Sequence, residues 1–157
     1  MEVAAEINYS VPIFRVALVR ESEVNVSARP KMSNSMAVEE IARTMLKDTD
    51  REQFIVFMLN GKNRVIGANV VSVGSLNASL VHPREVFKPA ILQNAAALIL
   101  VHNHPSGDPE PSAEDRQITL RLCDCGDLFG IKIIDHIILG EHTRFSFLDS
   151  GLMPRMS

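Results

Sequence analysis

The chain is expected to fold as an α+β domain, a central mixed β-sheet flanked by helices. Three observations lead there. Apolar runs with strand character and stretches with helical spacing follow one another in an order that is neither a clean βαβ repeat nor all-β. Asn60-Gly61, set between two apolar runs, marks a β-hairpin. AALILVHN (96–103) passes through a Pro- and Gly-rich loop into a helical stretch (112–126) and then into KIIDHIIL (132–139).

Taken in order, VPIFRVALV (11–19) reads as a strand and RESEVNVSARPKMSNS (20–35) as a polar connection. Residues 1–35 are thus expected to form an N-terminal strand and connecting segment ahead of a domain over 36–157. MAVEEIARTMLKD (36–48) places Met36, Ile41, Ala42, Met45 and Leu46 at helical spacing behind a candidate N-cap, Ser35. QFIVFML (53–59) and RVIGANVVSV (64–73) are the arms of the hairpin, and Ser75 to Val81 alternates weakly. PREVFKPAILQNA (83–95) is a helix opening on Pro83, with Pro89 expected to kink or split it. After 132–139 a last hairpin turns through Gly140 into RFSFL (144–148).

At 157 residues, 46% hydrophobic and 22% charged, the chain suits one domain with a real core. Its longest purely apolar stretch, AAALILV (95–101), is far short of the roughly 20 residues of a membrane span. The first residues show no basic n-region or apolar h-region, so a soluble, non-secreted protein is expected. Cys123 and Cys125 are too close for an ordinary structural disulfide, which favours a reducing compartment, by default the cytoplasm. A net charge of −3, with Lys and Arg scattered, offers no basic stripe for phosphate backbones. An exposed strand at 11–19 could pair between chains, making a homodimer a partner to consider.

The stretch HNHPSGDPEPSAED (102–115) carries the chemistry. Side chains alternate along a strand, so His102 and His104 share a side while Asn103 turns away. Pro105, Gly107 and Pro109 force a turn, and Ser112 to Asp115 opens the next helix, returning its first turn toward the strand end. Two imidazoles and a carboxylate would form a three-ligand metal set with a free fourth position. The other reading is structural: Ser112-Ala113-Glu114-Asp115 fits a capping box, and the histidines would satisfy loop backbone. The two readings are compatible.

The spacing H-x-H-x7-S-x2-D, complete in His102, His104, Ser112 and Asp115, resembles the signature of the JAMM (MPN-plus) metallopeptidases. HPREVF (82–87), NAA (94–96), HNHPSG and DHIIL (135–139) resemble its RadC branch, and the likeness runs from about 36 to 151. It implies a JAB/MPN-like, broadly cytidine deaminase-like fold, and Zn²⁺ held by His102, His104 and Asp115. It further implies a Glu from an earlier element as general base and acid; the matching place is DREQFIVF, where Glu52 is preferred and Asp50 is second. Ser112 would help to stabilise the oxyanion formed as an amide is attacked. RadC proteins commonly carry an N-terminal helix-hairpin-helix region; residues 1–35 read differently, so roles that depend on those hairpins are not expected.

Other residues draw structural readings. Ser106 belongs to a Pro-Ser-Gly turn; Asp135-His136 sits in an apolar strand with Ile134, His136 and Ile138 on one face, giving His136 a core or supporting role. Cys123 and Cys125, about 200° apart on a helix, are packing residues. His82 belongs to a helix entry, and His142 gets no role. Function reduces to three classes: a zinc-dependent peptidase or isopeptidase acting on a protein or peptide; a DNA-repair-associated accessory protein that binds or processes nucleic acid; and a zinc-stabilised interaction module without turnover. The acidic balance opposes the second, and Glu52 opposes the third, since a purely structural site has no use for a base. The H-x-E and P-C-x-x-C of cytidine deaminases are absent.

Overall fold

The computed structural model describes residues 11–25, 35–46, 50–74 and 81–154. Within them lie α1 (Ser35–Met45), β1 (Gln53–Leu59), β2 (Val65–Val73), α2 (Pro83–Leu92), β3 (Ala97–Asn103), α3 (Ala113–Phe129), β4 (Lys132–Leu139) and β5 (Arg144–Ser146). The strands form one sheet ordered β2-β1-β3-β4-β5. Only β3 and β4, joined through α3, pair in parallel; the other neighbours are antiparallel. The expected mixed sheet with flanking helices is therefore what the chain forms.

The alternation of β1 explains the layers. Phe54, Val56 and Met58 join Leu98 and Leu100 of β3, Val86, Phe87 and Ala90 of α2, and Ile118 and Leu122 of α3 in one core. Ile55, Phe57 and Leu59 join Ile99 and Val101 with Val38, Ile41, Ala42 and Leu46 on the α1 side. With apolar neighbours on both faces, β1 and β3 read as continuous apolar runs, as strands covered on both sides do. Each fully buried Leu or Phe here contributes about 2 kcal/mol by removal from water.

Several local expectations change. Residues 11–19 form no strand: Ile13, Phe14 and Val19 are more than four-fifths exposed, and no sheet edge pairs with them. The hairpin exists, but it is not a two-residue Asn-Gly turn. Asn60 N–H bonds to Arg64 O, Asn63 N–H to Asn60 O, and the positive φ falls on Asn63 (55°), which matches a three-residue loop closed by a left-handed residue. Asn60 Oδ1 caps the loop by accepting from Lys62 and Arg64 N–H. Pro89 does not split α2, because it falls in the last turn; Gln93 N–H then closes the helix on Pro89 O. A register shift in β4 puts Ile134 against the α1-side core and His136 on the opposite face, so the two do not share a side. Ser35, the candidate cap, is the first residue of α1, and the stretch 75–80 lies outside the described residues.

The α1 helix is tied to the β4–β5 turn by charge. Arg43 donates to Glu39 and to the carbonyls of Gly140, Glu141 and Thr143, while Arg144 donates to Glu39 at 2.8 Å. Burial alone would raise the Glu39 pKa, but hydrogen bonds from Arg43 and Arg144 hold it below its ordinary 4.5. The folded value lies under the unfolded one, so this stabilisation is complete above about pH 4.5 and drains away as pH falls through the folded pKa. Glu39→Gln should lower stability by about 1 kcal/mol at neutral pH and flatten its acid dependence. Urea melts across that range check this; parallel losses in both proteins would contradict it.

Candidate metal centre

The site forms at the C-terminal end of β3, where the antiparallel β1 begins and α3 returns. His104 N–H bonds to Leu139 O at 2.9 Å, which extends the parallel pairing past β3 and keeps His102 and His104 on one side. The loop after His104 then closes on itself, with Gly107 N–H donating to His104 O and Gly107 at φ 84°. Ser112 caps α3 in a full capping box. Its Oγ accepts from Asp115 N–H, its own N–H donates to the Asp115 carboxylate, and so does its hydroxyl. The box points the carboxylate of Asp115 back at the strand end.

Among the described residues, one group brings His, Cys, Asp or Glu donors close enough to hold a metal: His102, His104 and Asp115, with donor atoms within 4.8 Å of one another. Asp115 Oδ1 lies 3.1 Å from His102 Nε2, Oδ2 lies 3.4 Å from His104 Nε2, and the two Nε2 atoms are 3.0 Å apart. His102 is fully buried.

The hydrogen bonds behind these rings assign their protons. Thr119 Oγ1 donates to the Asp115 backbone carbonyl at 2.5 Å, which uses its one hydrogen. At 2.6 Å from His136 Nδ1 it must therefore accept, so His136 carries its proton on Nδ1. Burial holds the His136 pKa well below the usual value, with the neighbouring His102 adding to the effect, so that ring is neutral and its Nε2 accepts. His102 Nδ1, 2.8 Å away, is then the donor, and its Nε2 lone pair faces the cluster. His104 Nδ1 donates to Asp108 O at 2.8 Å, which likewise turns the Nε2 lone pair inward. Two lone pairs 3.0 Å apart beside a carboxylate repel unless a cation lies among them. Nitrogen and carboxylate donors in this number suit a divalent transition metal with an open coordination position. The Asp115 hydrogen bond raises the His104 pKa against its burial. Burial would raise the Asp115 pKa, but the His102 and His104 rings beside it, with the Ser112 hydroxyl, hold it far below the carboxylate range.

An open trough of about 730 Å³ faces the cluster and is lined by Asp50, Glu52, Gly74, His104, Ser112 and Asp115, with other residues. Phe54 pairs with His102 across β1 and β3, and Glu52, just beyond the end of that pairing, lines the same trough as His104 and acts on it by charge. Glu52 is thereby brought to the cluster, and Asp50 lines the same trough. Ser112 reaches it too, although its hydroxyl is engaged with Asp115. Ser106 accepts a long 3.4 Å bond from Asp108 N–H, as a turn residue would.

The loop carrying His104 rests on the β4–β5 turn: Glu141 N–H donates to Gly107 O, and a Cβ on Gly140 would fall 2.3 Å from Gly107 O. Gly140→Ala should therefore push the 105–109 loop outward, costing at least about 1 kcal/mol and weakening metal binding through His104. Thermal melts and metal titration measure both; a wild-type metal affinity would count against the coupling.

The remaining residues fall where a structural role puts them. His82 caps α2, its Nδ1 accepting from Arg84 N–H. Cys123 and Cys125 are free and pack on the core, and burial pushes the Cys123 thiol up to about 11. Asp135 is buried and accepts from Ser146 Oγ, His136 N–H and Leu148 N–H. His142 is exposed in the turn. Thr119 and Asn103 were not singled out as site residues from the sequence; a Thr one helical turn after Asp115 was the available signal for the first.

The profile of the RadC-like JAB domain matches residues 32–152, most of the chain. The chain belongs to the RadC-like JAB domain family. A UPF0758 protein of Trichlorobacter lovleyi is 56% identical over 108 residues, 69% of this chain and 47% of the relative. One of Rubrobacter xylanophilus is 50% identical over 125 residues, 80% of this chain and 55% of the relative. One of Geotalea uraniireducens is 55% identical over 107 residues, 68% and 47% of the respective chains. The RadC-like domain thus spans about half the length of the curated relatives it matches. Among the described residues no helix is long and apolar enough to cross a membrane. A JAB domain with this cluster is consistent with metal-dependent hydrolysis.

Proposed function

We propose that this RadC-like JAB domain is a zinc-dependent hydrolase that cleaves a peptide or isopeptide bond. The observation that carries the reading is the inward-facing Nε2 pair of His102 and His104 beside Asp115, opening on a trough that Glu52 lines. His102, His104 and Asp115 would hold Zn²⁺, whose Lewis acidity makes water nucleophilic near neutral pH and polarises a carbonyl. Glu52 takes the proton of the attacking water and returns it to the leaving amine nitrogen as the C–N bond breaks. Ser112 orients Asp115 through the capping box and, by swinging its hydroxyl off the carboxylate, donates to the oxyanion. His136 and Asp108 O hold the outer ring nitrogens of the two histidine ligands.

The test measures zinc in the purified protein and cleavage of a panel of peptides, isopeptide-linked conjugates and nucleic acids, for wild type beside His104→Ala. Zinc bound by wild type and reduced in His104→Ala, with amide cleavage following the zinc, supports the proposal. Retained zinc in His104→Ala, or cleavage of nucleic acid alone, overturns it.

A further inference from the structure

The middle residue of the His-Asn-His stretch turns away from the metal cluster, yet its side chain is 4% exposed and fully engaged. Asn103 Oδ1 accepts from Gln53 N–H at 2.9 Å, and Asn103 Nδ2 donates to Arg51 O at 2.9 Å. Residues 51 and 53 flank Glu52. In an extended chain the amides of 51 and 53 point one way and those of 52 the other. On that other side Glu52 O accepts from Gly74 N–H at 2.8 Å. The β1–β3 pairing stops at Phe54–His102, so past that point the carboxamide of Asn103 stands in for the missing ladder.

We infer that Asn103 is a positioning residue: by clamping the backbone on both sides of Glu52, it aims that carboxylate into the trough that His104 lines. The inference rests on the reading of Glu52 as the proton-transferring group, which it deepens. One strand end then sets both halves of the centre, because Asn103 lies between the two histidines. The clamp needs one acceptor and one donor at this reach. Asparagine has both, whereas aspartate would set a carboxylate oxygen against the Arg51 carbonyl. A clamp of this kind acts through geometry, so its loss leaves the metal donors in place and displaces only the base.

The test loads the full chain with Co²⁺ and follows its visible absorption against pH, which needs no substrate. Wild type, Glu52→Gln, Asn103→Ala, Asn103→Asp and each double variant with Glu52→Gln are compared. Each Asn103 variant should bind cobalt at the wild-type stoichiometry and move the inflection by at least about half the change that Glu52→Gln produces. In the Glu52→Gln background, replacing Asn103 should move it no further, because coupled residues are non-additive. Asn103 variants that titrate like wild type, or that shift equally in both backgrounds, overturn the inference. If Asn103→Ala does not fold, Asn103→Asp, which keeps the bond to Gln53, carries the test; if neither folds or neither binds cobalt, Asn103 serves the fold or the metal and the inference falls. Wild type without cobalt absorption overturns the metal-centre reading and this inference with it, whereas a silent Glu52→Gln overturns the role of Glu52.

Discussion

Glu52→Gln is expected to lower amide hydrolysis by about 10²- to 10⁴-fold while the zinc content stays at the wild-type level. The substitution keeps the length and hydrogen-bonding reach of the side chain and removes its ability to take a proton. Glu52 is not among the three residues whose donor atoms converge, so metal affinity should not depend on its charge beyond a modest electrostatic contribution. The loss should fall on kcat, with KM little changed, because the base acts in the transition state rather than in substrate binding. Steady-state kinetics on whichever peptide or isopeptide is cleaved, beside elemental analysis, make the measurement. A variant that keeps full activity would remove Glu52 from the mechanism and bring Asp50, which lines the same trough, forward.

His136→Phe should weaken zinc binding by about 10- to 100-fold, the usual effect of removing the group behind a metal-bound imidazole. The phenyl ring fits the position stacked on Phe147 and tilted against Phe54 but cannot accept the His102 Nδ1 proton. That buried N–H loses its partner, and an orphaned buried donor costs about 1–3 kcal/mol. His102 can recover only by moving its proton to Nε2, the atom that faces the cluster. Thr119→Val should act in the same direction and more weakly, because it removes the acceptor for His136 Nδ1 and frees His136 to change tautomer. Competition titration with a chromophoric chelator measures the affinity; an unchanged value for His136→Phe would show that the ring chain does not set the ligand tautomer.

Much of the centre is legible along the chain, for definite reasons. His102 and His104 face one way because strand periodicity is two, and Ser112 and Asp115 face the strand end because a capping box fixes the first turn of α3. Both are local rules. The hairpin that Asn60-Gly61 signalled forms, with its left-handed residue at Asn63. Other readings failed where a local rule met a tertiary choice. Ile134 and His136 were placed on one face by alternation, which the β4 irregularity broke. The apolar run 11–19 had strand character and found no edge to pair with.

The amino-acid order by itself determined the mixed α/β pattern, the two histidines on a common side and the acid that caps α3 opposite them, since each depends on residues a few positions apart. Only the tertiary structure decided which proton each imidazole carries, because the chain from Thr119 through His136 to His102 joins α3, β4 and β3. Only it brought Glu52 into the trough that His104 lines and put the carboxamide of Asn103 across the backbone of residues 51 and 53. Hydrogen bonds between distant segments follow from sheet order and register, which arise when the whole core packs and which no short stretch encodes.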